Sequence, residues 1–538
     1  MLALAALLLF VGLGAYPLWD PDEGRHALIA RNLWAATDWR GMLLPRLHGR
    51  PYHDKPILYY WLTAVAYALG GPTTVAARWV SACSALATVG LVFWFALRAW
   101  GLAAAVAAAT MLVTALGFLG LGRFSSLDML LTVAVTSALV ALYAWSREEG
   151  PRTPLALAGV ALGVGLLAKG AVAPVLVGAI VVVHLATTGR VRLLRGRSLL
   201  VVALPCLVVA GPWYVAAAWL DPAYLSEFLV RHHLKRFLAA SERLHPAPFW
   251  YTPVFALAVF WPWSALLPAV VRDGRERGLD EAQRFCLIWA AAVVAFFTVS
   301  SGKLATYVLP AMPALALLGG RVLAEAARRR VSEPTRRLVR GGLVVASGTW
   351  IVAGAGLLAA GLARITTPFP QRAALAVASV AIACVLARLA RRAPVETAAA
   401  GLVGAVMATA AAFYGLVVPG LEARFSDAPL ARLIRACDPA AVGPVLVWGD
   451  TPDSLAFYLD RPTHRIERPR DLRHVLARRD RVFVVAGLGQ VEDLQRMTGD
   501  ALDVAARGRH VLLTARTLAA GATSGSRACA AGSGRVGG

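Results

Sequence analysis

Apolar runs rich in leucine, alanine and valine recur along the chain, joined by short links that carry arginine. One polar stretch, 20–56, interrupts this pattern early. It reads DPDEGRHALIARNLWAATDWRGMLLPRLHGRPYHDKP and follows at once on an apolar run from Met1 to Leu18. A helix crosses the bilayer core with about 20 apolar residues. On that basis spans are predicted near 2–18, 76–97, 101–119, 127–146, 153–169, 171–187, 198–219, 248–271, 281–299, 304–325, 341–363, 372–388 and 395–418, about thirteen in a windowed reading. The runs lack the alternation of barrel strands, so the predicted fold is an all-α polytopic membrane protein.

Arginines cluster at 147–152, 190–197, 272–277, 328–340 and 388–392, all in links between runs. Basic residues in such links orient spans with the links in the cytoplasm. The N-terminus is then cytoplasmic, and the 20–56 stretch, a second loop at 220–247 and the C-terminal region lie outside. Within 20–56, Asp20 is expected to cap a helix with Pro21 at its first position and Glu23 closing a capping box. Leu28, Ile29, Leu33 and Trp34 are expected to face lipid, with Trp39 and Tyr52 in the headgroup layer. The 220–247 loop reads as an interfacial helix.

From residue 421 the pattern shifts. Val445–Trp448, Ser454–Tyr458, Arg481–Gly487 and His510–Arg516 read as short strands, with helical stretches at Pro469–Arg478 and Val491–Met497 between them, which predicts a small extramembrane α/β domain. The domain layout is therefore 1–420 membrane, 421–518 α/β, and a disordered Gly/Ala/Ser-rich tail at 519–538.

Composition supports this layout. Of 538 residues, 58% are hydrophobic and 16% charged, against roughly 25% charged in soluble proteins. The net charge of +23 is topological, because the arginines sit in the links; no nucleic-acid partner follows from it. Four of the six cysteines (83, 206, 286, 384) lie in apolar runs, and a Cys437–Cys529 disulfide stays open. The first apolar run lacks a basic flank and a small-residue cleavage site, so no cleavable signal is expected.

Ionisable groups in or beside spans are the strongest functional pointers in a membrane protein. On the expected topology Asp22, Glu23, Arg25, Asp54, Lys55, Arg123, Asp128, Lys169, His233, Lys235, Arg236 and Lys303 collect on the outer side. Each has a simpler reading: acids favoured by a helix dipole, a cap at Asp128 or its pairing with Lys55 or Arg123, snorkelling lysines. Taken together, the excess of cations suits a lipid phosphate, with a carboxylate beside it for group transfer. No cofactor is required by the residue spacing; a divalent cation is an open addition, since nothing resembles a zinc site.

DPDEGRHALIARNL followed by PYHDKPILYYWL resembles the first outer loop of the bacterial polyprenyl-phosphate-dependent glycosyltransferases of GT-C type, relatives of aminoarabinose transferases and protein O-mannosyltransferases. FSSLDMLLT, LLAKG, HHLKRF, HPAPFWYTP and SSGKLATYVLPAMPALALL are similar to further segments of the family, in its order, over roughly residues 1–320. The resemblance implies inverting transfer of a sugar from a polyprenyl phosphate to a lipid, glycan or protein acceptor, by a multi-pass enzyme of the bacterial cytoplasmic membrane whose site faces outward. It implies Asp22, Glu23, Lys55 and Asp128 as the catalytic set. Arg25, Asp54, Lys169, His233, Arg236, Lys303 and Tyr307 are then the donor-binding set, Lys169, Arg236 and Tyr307 at the carrier phosphate. Two departures stand on the acceptor side: His26-Ala27-Leu28 replaces the aminoarabinose transferases' Tyr-Ala-Glu, and Asp54 precedes Lys55 where Glu is common. The alternative is a transporter or flippase for a polyprenyl-linked or other anionic substrate, which should carry inverted repeats and midplane charge.

Overall fold

The computed structural model describes residues 1–148, 152–228, 247–359, 369–478, 482–499 and 502–515. Among these, nine helices are long and apolar enough to cross a membrane, and eleven if each of two bent pairs counts as one span. The other two expected spans are short: a nine-residue helix at Leu2–Phe10 and a sixteen-residue helix at Val172–Thr187. The bent pairs, Leu102–Thr114 with Leu116–Gly122 (67°) and Tyr251–Val259 with Trp263–Arg277 (101°), replace the straight spans expected near 101–119 and 248–271. Their breaks meet. The Leu116 N–H, freed by its own break, donates to the Trp261 carbonyl at 2.9 Å, and Pro262 has no N–H to continue the second helix.

Helix exteriors carry apolar side chains in the open. On Gly196–Leu220, Leu199, Leu200, Leu204, Leu207 and Val208 are all exposed, the pattern expected when hydrocarbon rather than water is the solvent. Helix directions sort the charges between two faces. Leu127–Glu148 runs from Asp128 to Arg147, and Arg152–Lys169 returns from Arg152 to Lys169. The arginine face is tied by Arg190–Glu281 (2.5 Å), Arg321–Asp280 (3.1 Å) and Trp100–Asp280 (3.0 Å). The opposite face carries the polar loops.

On the loop face, the 20–56 stretch forms a helix at Asp22–Trp34, here the loop helix, a five-residue helix at Trp39–Leu43 and a tight hairpin of β1 (Arg46–Leu47) and β2 (Arg50–Pro51). Asp20 does not cap the loop helix; the cap position is Pro21, and Glu23 reaches back to the Trp19 N–H. Nor do Leu28, Ile29 and Leu33 face lipid. They are buried, Ile29 and Leu33 against Tyr59, Tyr60 and Tyr67 of a helix at Leu58–Gly70 that was not among the expected elements. Trp34 is exposed, as is Trp39, whose ring stacks on Trp219. The expected helix in the second loop falls mainly on 229–246, outside the described residues.

The tail domain is an α/β sandwich. Its sheet contains β3 (Val445–Trp448), β4 (Thr463–Ile466), β5 (Phe483–Gly487), β6 (Leu502–Arg507) and β7 (His510–Ala515), in the order β4-β3-β5-β7-β6. β3 runs parallel to β4 and β5, whereas β7 is antiparallel to β5 and β6. Alternation decides which side chain meets which helix layer. Val445, Val447, Phe483 and Val485 pack with Leu430, Ile434 and Leu455; Leu446, Val484, Val511 and Leu513 pack with Leu472 and Leu494. Strands β4 and β6 were not expected. Ser454–Tyr458, expected as a strand, is part of a helix, Asp453–Leu459, with residues 453–457 and 459 all buried. A helix enclosed on every side shows no amphipathic period, and five apolar-rich residues then read equally well as a strand. Residue 529, the other half of the open cysteine pairing, and the 519–538 tail lie outside the described residues.

Candidate functional site

The loop helix is held from beneath by one buried ion pair. Arg78, inside the apolar helix Thr74–Trp100, donates to both Glu23 oxygens at 2.7 Å and to the carbonyls of Leu13, Tyr16 and Pro17 at 2.9–3.0 Å. Glu23 also accepts from the Ser125 and Trp19 N–H groups. Both side chains are fully buried. A buried charge needs this degree of satisfaction, and Glu23 is thereby a clamp with its oxygens occupied.

One residue earlier, Asp22 projects outward, its side chain 61% exposed, with Arg25 one turn on at 3.9 Å. Arg25 bonds the phenol of Tyr52, which lies beside Asp22 and Asp54. Tyr52 is half-buried in this group. Burial, with Asp54 next, pushes its phenol well up, so it stays a neutral donor. His26, on the next turn, is buried between the Tyr59 and Tyr60 rings and bonded to the Tyr60 hydroxyl. Burial lowers its imidazole to about 3, with Arg25, Lys55 and Lys169 adding to the effect. His26 is therefore neutral at physiological pH, with these three cations within electrostatic reach.

Lys169 ends its helix against Asp128, the second residue of the neighbouring helix, in an ion pair, and its ammonium lies 4.5 Å from the centre of the Tyr307 ring. Asp128 thus pairs with Lys169 rather than with Lys55 or Arg123. Arg123 instead donates to the Leu8 carbonyl and stacks on Tyr414. The Tyr224 hydroxyl donates to the Lys55 carbonyl, and His53 pairs with Asp221 at 2.7 Å, so the segment carrying Asp54 and Lys55 is pinned to the end of the helix Gly196–Leu220. Lys303 is buried and donates to the Ser300 carbonyl, three residues back, which is a local bond. Asp22, Arg25, Asp54, Lys55, Asp128, Lys169 and Tyr307 therefore gather on one face. His233 and Arg236 lie outside the described residues. Among the described residues no three His, Cys, Asp or Glu side chains group as metal ligands.

The tail domain closes one side of this group. Its helix Asp453–Leu459, the docking helix, packs on the loop helix, where Gly24 lets the Ser454 backbone approach; a Cβ there would stand 2.6 Å from the Ser454 nitrogen. Arg31 donates to the Phe457 carbonyl, the Leu18 N–H to the Tyr458 hydroxyl, and Asp20 accepts from both the Ser454 N–H and its hydroxyl. Asp20 is 3.3 Å from Arg509 and almost fully buried. Burial raises its carboxyl from 3.8 to about 6, an effect that Ser454 and Arg509 only partly offset. The folded state thus binds this proton more tightly than the unfolded chain. Docking gains stability that is complete below pH 4 and lost as the pH rises through about 6, on the order of 3 kcal/mol. Amide exchange of 453–459, corrected for intrinsic rates, should show more protection at pH 4.5 than at pH 7.5, and Asp20→Asn should flatten that difference.

A sequence profile of the dolichyl-phosphate-mannose-protein mannosyltransferase family matches residues 6–225. The undecaprenyl phosphate-alpha-4-amino-4-deoxy-L-arabinose arabinosyl transferase of Aeromonas salmonicida is 36% identical over 309 residues, 56% of this chain and 55% of that one. The protein of the same name from Pectobacterium atrosepticum is 36% identical over 326 residues, 59% of this chain and 57% of that one. The chain thus spans somewhat over half the length of these curated relatives. In fold the similarity is wider: the crystal structure of ArnT from Cupriavidus metallidurans bound to undecaprenyl phosphate superposes with a TM-score of 0.77 at 25% identity, covering 95% of this chain and 96% of that one. By sequence over residues 6–225 and by fold over almost all of its length, the chain is similar to membrane glycosyltransferases of GT-C type.

Proposed function

We propose that the chain transfers a sugar from a polyprenyl phosphate to an acceptor on the outer side of the bacterial cytoplasmic membrane, with inversion and with no cofactor required. The observation that carries this reading is the placement of Lys169, at a helix end between Asp128 and the Tyr307 ring, on the same face as the exposed Asp22. The arginine-rich links on the opposite face support the outward orientation. Lys169 and Tyr307, with Arg236 from the second loop, hold the carrier phosphate through charge-assisted hydrogen bonds. Asp22 takes the proton of the acceptor hydroxyl. The acceptor oxygen attacks the anomeric carbon from the face opposite the phosphate, and the bond from that carbon to the phosphate oxygen breaks. The electron pair departs on polyprenyl phosphate, whose growing charge the cations offset. Lys55 and Asp128 organise the floor, and Asp54 with Arg25 borders the sugar.

A transporter for the same anion needs charge available near the midplane. Arg78, fully buried inside a span, is bonded to Glu23 and three carbonyls. The relatives' names make undecaprenyl phosphate–4-amino-4-deoxy-L-arabinose the first donor to try. The test is to incubate purified protein in nanodiscs with a panel of polyprenyl-phosphate sugars and follow free polyprenyl phosphate by mass spectrometry. Asp22-dependent release supports transfer. Donor that binds unaltered in nanodiscs, and that crosses the bilayer when the protein is reconstituted in sealed liposomes, points to transport. In the same system Lys169→Ala should weaken carrier binding by about 10-fold or more; unchanged affinity would remove Lys169 from the phosphate site.

A further inference from the structure

The tail domain does more than cover the loop helix, because one of its carboxylates reaches the ion pair beside Asp22. Asp453, the first residue of the docking helix, has a side chain only 10% exposed. Its Oδ1 accepts from His48 Nε2 at 2.7 Å and its Oδ2 lies 3.4 Å from Arg25 Nε. His48 and Gly49 form the turn of the β1–β2 hairpin, both with left-handed backbone (φ 50° and 79°), so the hairpin tip is shaped to present the imidazole. A single tail carboxylate therefore braces two separate pieces of the first loop, the loop helix and the hairpin.

The consequence concerns Arg25. Three groups compete for its guanidinium: Asp453 at 3.4 Å, Asp22 at 3.9 Å and the Tyr52 hydroxyl. Asp22 is the loosest and most exposed of the two carboxylates. Two carboxylates sharing one guanidinium divide its attraction, and the one with the closer contact keeps it. We infer that Asp453 is a positioning residue for transfer: it holds Arg25 back from Asp22, so that the Asp22 carboxylate stays available to an incoming acceptor. The inference rests on the proposed role of Asp22. Without Asp453, Arg25 is free to close on Asp22 in a bidentate pair that occupies its oxygens and screens it from an incoming acceptor.

Removing this carboxylate need not undock the domain. Arg31–Phe457, Leu18–Tyr458 and Asp20–Ser454 all remain. The test uses the full chain and needs no substrate. Water-soluble carbodiimide labels the protonated carboxyl, and peptide mass spectrometry reads the labelling rate of Asp22 at pH 5.5 in wild type, Asp453→Asn, Arg25→Gln and the double variant. Asp453→Asn should slow Asp22 labelling about fivefold or more, Arg25→Gln should speed it, and the double variant should match Arg25→Gln alone. Among the described residues, His26, His48, Tyr52 and Asp54 are the other titratable groups near this cluster, and all are unchanged in every variant. Asp22 labelling that is unaffected by Asp453→Asn overturns the proposal. So does slowing that persists in the double variant, since the effect then does not pass through Arg25. In the transfer assay, Asp453→Asn should lower kcat about 10-fold with KM for the donor within about twofold. Full turnover by Asp22→Asn would overturn the role of Asp22 beneath the proposal, while the labelling series reports on the brace itself.

Discussion

On the proposed function, Asp22→Asn should lower turnover of a polyprenyl-linked sugar by about 10²–10⁴-fold while carrier affinity stays within about twofold of wild type. That range is what a positioned general base contributes. The case for Asp22 comes from comparing the carboxylates around it. Glu23 has both oxygens bonded and no exposure. Asp128 is paired with Lys169. Asp20 and Asp453 are almost fully buried in the tail-domain contact. Asp22 is exposed, sits on the first turn of a clamped helix, and shares Arg25 rather than possessing it. Asparagine keeps its size and removes the base. Steady-state release of polyprenyl phosphate, with carrier binding measured separately, checks both halves; an Asp22→Asn enzyme with wild-type kcat would retire the assignment.

Arg78→Met costs about 3–5 kcal/mol of stability, the effect of leaving a buried carboxylate without its partner. Five hydrogen bonds from one guanidinium tie Glu23 to the carbonyls ahead of the loop helix, and the guanidinium also stacks on Tyr16 at 3.8 Å. Arg78→Lys should recover only part of this, since an ammonium cannot match a carboxylate bidentately. The decisive comparison is Arg78→Met with Glu23→Gln. Removing both charges spares the unpaired ion, so the double variant should unfold at a higher temperature in detergent than Arg78→Met alone. A double variant as unstable as the sum of its parts would mean that Arg78 acts through the carbonyls and not through Glu23.

Arg78 is also the clearest signal that sequence reading passed over. It stands inside a run counted as a span, and an ionisable residue there is a pointer in its own right; the attention drawn to the loops hid it. Most spans were legible because apolar length is a one-dimensional property. The bends near Ala115 and Trp261 were not, because they depend on each other across the bundle. The helix Leu58–Gly70 was missed for a related reason: its buried face is tyrosine-rich, with hydroxyls bonded to Ser125, His26 and the Ala27 carbonyl. Of the candidate site, Asp22, Lys55, Asp128, Lys169 and Tyr307 are named by motifs in order. His26 showed only as a departure from a pattern. Asp453 and His48 carried no motif, and their contact joins positions 405 residues apart.

That separation has a consequence in time. Asp20 is bonded to Ser454 across 434 residues of chain. At translation rates of roughly 5–20 residues per second, the first loop exists for roughly 20–90 s before its partner is synthesised. Throughout that interval the nascent polypeptide presents a loop whose arginine has no distal acid to hold it. The brace on the first loop thus forms only once residues 453 and 454 have been made, and the order of synthesis sets a delay before the loop helix and the docking helix can meet.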